Sequence, residues 1–340
     1  MTRQEMREKS EQLSYEIKFG CEIEYSGISR RNSALIVHSV MESFFPDDEV
    51  YIEKDYDRTN DIYRVYREYN NNKDLYFSVV HDGSIPACKL DKDGYLVHAK
   101  AVFRNELVSR PFTRKDFPLI CAVIDALKKG SVVDNQRMII ASNMGIHIHL
   151  SADFLSVQSL KALCYNVFSK QNLLYHATAQ SLTTDRYQYM QCLPEKFVSA
   201  LAQVKDFEQL RDVYYKSLIT KRTNVQLETN KKYSKARYFV LNLCPLYDYR
   251  GYKTVEFRLF RSSTSSQEII CYVLFCMKFL AYCSLIQKSS YRELEKIDTE
   301  PRSEKYRMHC FLQKIFCTGD EYKEVRKVFL KHLKGKAAWR

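Results

Sequence analysis

Two periodicities divide the chain. Apolar and polar residues alternate over residues 16–25, 75–80 and 95–108 and in a segment ending at Leu150, which predicts strands with one buried face. Two further strands are predicted over residues 237–243 and 252–260, and Asp82-Gly83 and Asp93-Gly94 supply hairpin-type turns. Elsewhere the apolar positions recur at three and four residues. Ile120, Val123, Ile124 and Leu127 share one face of a helix over residues 116–129 that Gly130 closes. Ser33 suits the cap of a helix through Leu35, Ile36, Val40 and Met41 that stops at Pro46. Residues 156–219 read as helical throughout, and residues 221–234 as a polar loop. With no internal repeat and no regular β-α alternation, the predicted class is α+β: an antiparallel sheet interrupted by helical insertions.

Residues 269–286 form an almost continuous apolar run of membrane-span length, with Lys278 in its middle. A mid-span charge is costly, so a buried core helix is the preferred reading. Residues 1–11 are charged and polar and carry no apolar signal-peptide core, which makes the cytoplasm the expected location. The 340 residues are 45% hydrophobic and 13% aromatic, the composition of a folded chain with ample core. Only nine are glycine, and neither G-x-x-x-x-G-K nor G-x-G-x-x-G occurs, so a nucleotide would have to be held without a glycine cradle. Eleven cysteines without a C-x-x-C pair, several inside apolar runs, read as reduced core thiols rather than zinc ligands. The net charge of +12 favours anionic partners without identifying one.

Residues two apart on a strand point the same way, which gives several short patterns chemical meaning. In Gly20-Cys21-Glu22-Ile23-Glu24-Tyr25 two carboxylates share a face. His147 and His149 share one in Gly145-Ile146-His147-Ile148-His149-Leu150, as do Glu256 and Arg258 in Thr254-Val255-Glu256-Phe257-Arg258-Leu259. Glu106 lies in a fourth such segment. Each pattern alone also fits a solvated sheet face, or for Glu256 and Arg258 a surface ion pair. Together they describe an acidic surface that repels itself unless divalent cations sit on it, and oxygen ligands with imidazole suit Mg²⁺ or Mn²⁺.

These segments, in order, carry a resemblance. Phe19-Gly20-Cys21-Glu22-Ile23-Glu24-Tyr25, His81-Asp82-Gly83-Ser84-Ile85, Glu106-Leu107-Val108-Ser109, Gly145-Ile146-His147-Ile148-His149, Arg237-Tyr238 with Asn242, and Glu256-Phe257-Arg258 resemble the putative amidoligase family. That family belongs to the carboxylate-amine ligase superfamily of glutamine synthetase and glutamate–cysteine ligase. The resemblance implies a curved antiparallel sheet of glutamine-synthetase-like type, helices on one face, and divalent metals with ATP on the other. It implies a catalytic domain over residues 16–290 with a helical insertion at about 154–220, between a polar lead (1–15) and a basic, helical tail (291–340). It makes Glu22, Glu24, Glu106, His147 and Glu256 metal ligands, leaving open which of His147 and His149 binds. Arg258 and Arg237 would hold phosphate or carboxylate oxygens as catalytic residues beside Glu256, and His149 would neighbour the nucleotide. Asp82, Ser84 and Asn242 would position substrate. Arg110 stands where the family usually has proline after E-L-V-S, and Cys21 where an aliphatic is common.

The implied reaction joins a carboxylate to an amine with ATP and Mg²⁺ or Mn²⁺, on a small molecule, a peptide or a protein. Two other classes compete. A metal-dependent hydrolase could use the H-x-H strand, but it expects further histidines and a late aspartate on a βα barrel. A basic nucleic-acid-binding protein, or a degenerate non-catalytic ligase-fold member, would use the charge and the 25 tyrosines, but the motif strands offer acidic faces. The basic tail, with Lys331, Lys334, Lys336 and Arg340, leaves nucleic acid or an anionic membrane surface as an accessory partner.

Overall fold

A computed structural model describes residues 1–57, 60–130, 135–179, 185–231, 234–248, 251, 253–290 and 303–337. The chain forms two compact units. A sheet unit comprises Lys18–His147 and Arg261–Ile270; a helical unit comprises Met1–Ile17, Ile148–Phe260 and Cys271–Arg340.

The sheet unit contains β1 (Phe19–Tyr25), β2 (Glu49–Asp57), β3 (Asn60–Tyr69), β4 (Asn72–His81), β5 (Cys88–Leu90), β6 (Leu96–His98) and β7 (Asn105–Ser109). Five of them form an antiparallel sheet in the order β2-β3-β4-β7-β1, while β5 and β6 pair as a separate hairpin. β8 (Gly145–Ser151) begins in this unit and continues into the next. Alternation gives the sheet two unlike faces. Cys21, Ile23, Val65, Phe77, Val79 and Leu107 are buried on one. There the helix Phe117–Lys129 lays Ile120, Val123 and Ile124 against Cys21, Ile23, Phe77 and Leu107, and the helix Arg30–Phe44 packs on β2, β3 and β4. The other face carries Glu22, Glu24 and Glu106.

Several local expectations change. The first strand starts at Phe19, because the polar residues before it form a helix, Arg3–Glu16, closed by a Thr2/Glu5 capping box. Ser29 rather than Ser33 caps the next helix: Ser29 has extended backbone and its hydroxyl accepts the Asn32 N–H, while Ser33 is buried a turn later. The single strand expected over 95–108 is broken by a 3₁₀ turn at Ala101–Phe103. Asp82-Gly83 is no hairpin turn. Its carboxylate accepts the Ser84 N–H and hydroxyl, both at 2.7 Å, and β4 pairs on that side with the later β7. Asp93-Gly94 does join a hairpin, β5 to β6, with Gly94 at φ +84°. The β2–β3 hairpin has no counterpart in the alternation pattern.

In the helical unit the predicted helical stretch resolves into Val157–Ala177, Glu195–Ala200 and Phe207–Leu218, with 3₁₀ turns between. The strand expected over 237–243 is a 3₁₀ turn, Lys235–Arg237, followed by the short β9 (Leu241–Asn242), which pairs with β10 (Thr254–Arg261). Tyr252, the expected start of that last strand, lies outside the described residues, as do 291–302 of the tail and Arg340. The rest of the tail contains helices Glu304–Lys314 and Lys323–Leu330.

The apolar run is the helix Ser266–Ser284, long and apolar enough to cross a membrane by length and composition, but mostly buried within the protein. Its Lys278 is fully buried, and its Nζ donates to the Glu11 Oε2 at 2.8 Å. The Tyr322 hydroxyl donates to the other Glu11 oxygen at 2.6 Å, and its ring lies 5.3 Å from the ammonium. A buried ammonium needs such partners. Replacing Glu11 with Ala is therefore expected to cost on the order of 3 kcal/mol in denaturant unfolding, whereas Lys278→Met, which removes the charge itself, costs much less. Equal losses in the two variants would show that the ion pair does not hold the N-terminal helix.

The tail docks through Glu304. Burial raises its carboxyl pKa, but the Lys334 backbone N–H and the His176 ring outweigh this and hold it below the usual glutamate value of 4.5. A depressed folded-state pKa stabilises above the unfolded value, and that stabilisation is lost as the pH falls through the folded one. Glu304→Gln should accordingly lower the melting temperature at neutral pH, with the difference from wild type vanishing as the pH is taken well below 4.5. A difference that persists in acid would assign the effect to packing instead.

Candidate active site

In the sheet unit, β1 and β7 set Glu24 directly opposite Glu106, and Glu22 opposite Val108. Like charges in opposed positions destabilise a sheet unless something compensates them. Here an imidazole does part of this. His147 Nδ1 is 3.0 Å from Glu22 and 3.9 Å from Glu106, and its Nε2 is 3.6 Å from Glu24. The Gly145 N–H donates to the second Glu24 oxygen at 2.6 Å, and the Ser262 hydroxyl donates to the Glu24 backbone carbonyl. Glu24 and His147 are buried, while Glu22 and Glu106 are partly open. Ligand atoms of Glu24, Glu106 and His147 all lie within 4.8 Å of one another, close enough to share one ion. Three carboxylates and one imidazole leave net negative charge, which the donor set matches to a hard divalent cation.

Behind this cluster, burial pushes the Cys21 thiol up to about 12, with Glu22 adding to the effect. Cys21 is a core residue of the opposite face. Its pKa leaves it a neutral thiol at physiological pH.

In the helical unit, β10 directs Glu256 and Arg258 to the same side. Both are buried, and the Arg258 guanidinium donates to Glu256 through Nη1. The other Glu256 oxygen accepts from the Asn242 amide at 2.5 Å, because Asn242 stands opposite it in β9. Asn242 is itself held by the Cys244 N–H at 2.9 Å and the Tyr214 hydroxyl at 3.3 Å. Arg258 Nε donates to the Tyr189 carbonyl, and Arg186 donates to the carbonyls of Arg258 and Phe260. His149 lies within 3.4 Å of the Thr254 hydroxyl and 3.9 Å of Glu256. Arg237 is half-buried at the end of its 3₁₀ turn. Burial raises the Cys244 thiol to about 12; the Tyr215 hydroxyl opposes this, Glu256 adds to it and Arg237 opposes it.

The residues singled out by sequence thus fall into two groups. Glu22, Glu24, Glu106 and His147 converge in the sheet unit. Glu256, Arg258, Asn242 and His149 converge in the helical unit, with Arg237 acting on the shared neighbour Cys244. Asp82 and Ser84 hydrogen-bond to each other and close an exposed turn, apart from either group among the described residues. Two further contributors, the backbone donor Gly145 and the bracing Arg186, carry no sequence signal for these roles. Gly145 precedes the H-x-H pair, but nothing in the pattern marks its N–H as a carboxylate donor. Arg186 sits in the helical insertion without a motif.

Breaking the buried pair in β10 has a clear expected outcome. Arg258→Met leaves the Glu256 charge without its main compensation and should cost about 3–5 kcal/mol in equilibrium unfolding. The double change Arg258→Met with Glu256→Gln should recover a large part of it. No recovery in the double variant would mean that Arg258 matters through packing alone.

No curated protein and no solved structure matches the chain. A family described as "putative amidoligase enzyme" matches residues 15–280, a span that includes both groups of residues, and the chain belongs to that family.

Proposed function

We propose that this protein is an ATP- and Mg²⁺-dependent carbon–nitrogen ligase that joins a carboxylate to an amine, on a sheet of glutamine-synthetase-like type, through an acyl phosphate. One observation carries the reading: three carboxylates surround the His147 imidazole on one face of an antiparallel sheet, with Glu24 and Glu106 directly opposed. Family membership gives that arrangement its direction toward ligation.

A substrate carboxylate oxygen attacks the γ-phosphorus of ATP, the bond to the β-phosphate oxygen breaks, and ADP leaves. The amine nitrogen then attacks the acyl carbon, the C–O bond to phosphate breaks, and the amine proton passes to base or solvent, leaving amide and phosphate. Glu22, Glu24, Glu106 and His147 would hold a divalent cation in the sheet unit, and Glu256 a further one near the transferred group. Such cations, Mg²⁺ or Mn²⁺, supply neutralisation of the phosphate charge that develops in transfer. Arg258 and Arg237 hold phosphate or carboxylate oxygens, and preorganised guanidinium groups act most strongly on charge that appears in the transition state. His149 borders the nucleotide. Asp82, Ser84 and Asn242 position substrate, Asn242 through its hold on Glu256. The net charge of +12 draws ATP and acidic substrates toward the protein, and the proposed location is the cytoplasm.

Mg-ATP with pools of acidic amino acids, peptides and amines should yield ADP and phosphate only when both an acid and an amine are present. Glu256→Gln is expected to lower that turnover by at least about a hundredfold; unchanged turnover would remove Glu256 from the site. Mn²⁺ binding followed by electron paramagnetic resonance should weaken when His147→Ala is combined with Glu106→Gln. Saturating Mg-ATP at about a hundred times its Kd should stabilise the native state by about 2.7 kcal/mol.

A further inference from the structure

The sheet face that bears the glutamates continues well beyond them. From Glu22 the directly opposed residues run through Val108 on β7 and Ser78 on β4 to Arg64 on β3 and Glu53 on β2. A second row runs from Glu24 through Glu106 to Val80. Ile62, two residues from Arg64, faces the same way. Between the carboxylates and Arg64, then, the surface consists of Val108, Ser78, Val80 and Ile62: small or apolar, and all partly exposed. Their neighbours on the opposite face, Leu107, Phe77, Val79 and Val65, are buried. The result is a low apolar track with a cation-binding cluster at one end and a guanidinium at the other.

Arg64 is suited to recognition. Its side chain is 29% exposed, and it meets Asp55, itself 52% exposed, at 2.5 Å. An exposed ion pair of this kind is worth little and exchanges readily for a better partner. A guanidinium fork matches a carboxylate in geometry as well as charge. Beyond it, Tyr66 stacks on Tyr51 with centroids 5.5 Å apart, and the Lys73 ammonium lies 4.2 Å from the Tyr66 ring, so the far end of the track is walled by ordered side chains. Strands in a sheet are about 4.8 Å apart, which puts the backbones of Glu22 and Arg64 roughly 14 Å from each other. After the side chains are allowed for, two or three extended residues, at about 3.3 Å each, bridge the remaining gap.

We propose that this track binds the carboxylate substrate and that Arg64 reads a second carboxylate two or three residues from the one that reacts. The substrate is then an acidic peptide or a peptide-like dicarboxylate rather than a single amino acid. The inference rests on the ligase reading for which carboxylate reacts, but its binding consequence is measured separately.

The probes are N-acetylated peptides with a free C-terminal carboxylate and either Glu or Gln placed zero to four alanines before it. Affinity is measured by calorimetry on the full chain with Mg-ADP, and ADP release with Mg-ATP and an amine pool. Wild type should bind the Glu peptide about tenfold more tightly than its Gln counterpart at the best spacing. Arg64→Gln should abolish that preference without weakening the Gln peptide, and Asp55→Asn, which frees Arg64, should increase it. Equal affinities in wild type, a preference that survives Arg64→Gln, or no binding of any peptide would overturn the proposal. A preference that behaves as expected without ADP release would overturn the ligase reading and keep the track. ADP release without the preference would do the reverse.

Discussion

The opposition of Glu24 and Glu106 across β1 and β7 is the constraint on which the sheet unit depends. Two carboxylates in that position push the strands apart, and the imidazole of His147 with the N–H of Gly145 relieves only part of the strain. What keeps the strands paired lies on the other face. There Cys21, Ile23, Phe77 and Leu107 bury their side chains against Ile120, Val123 and Ile124, and period-two geometry makes the two faces inseparable. A one-residue slip of register would exchange them, placing glutamates in the core. The same packing that stabilises the sheet therefore fixes the spacing of the carboxylates.

The helical unit handles its buried acid differently. Glu256 is compensated by direct hydrogen bonds from Arg258 and Asn242, and those partners are held in turn by Tyr214, Tyr189 and the Cys244 backbone. Charges within such a network are positioned before any ligand arrives, so little reorganisation remains to oppose binding. The sheet cluster is more open and acidic; the helical one is closed and nearly neutral. The two clusters thus offer different chemistry: open carboxylate oxygens in one, and a carboxylate already bound by a guanidinium and an amide in the other.

Much of the arrangement was legible wherever one face of an element is apolar core and the other is polar, whether or not that polar face is exposed. The strands bearing Glu22 and Glu24, the two histidines, and Glu256 with Arg258 show alternation because their alternate residues are core residues. The helix ending at Gly130 shows its period for the same reason: its glycine sits at φ +69°, where a Cβ would lie 1.9 Å from the Gln136 carbonyl. The β2–β3 hairpin was silent because neither face is fully buried, so charged and aromatic residues occupy both. The apolar run after Arg237 misled in the opposite sense: Phe239, Val240 and Leu241 are buried in a largely irregular segment, where apolarity reports burial and not extension. Ser29 and Ser33 are chemically equal caps, and only the path of the chain into the helix distinguishes them. The partners of Asp82 and Asn242 were likewise beyond the pattern, since a turn's own hydrogen bonds and a cross-strand amide leave no periodic trace.

The Lys278–Glu11–Tyr322 cluster also bears on the order in which the polypeptide assembles. Glu11 contacts residues 267 and 311 positions away in sequence. During synthesis from the N-terminus, the first helix is released long before either partner exists, and it must wait as a solvated, weakly stable segment. Closing loops of that length is entropically slow to begin, so the helix docks late. Until it does, Lys278 in the helix Ser266–Ser284 has yet to gain its hydrogen bond to the Glu11 carboxylate. The nascent helical unit thus completes its most apolar helix before the contact that ties the N-terminal helix to it can form, the interval in which a holding chaperone would have most to protect.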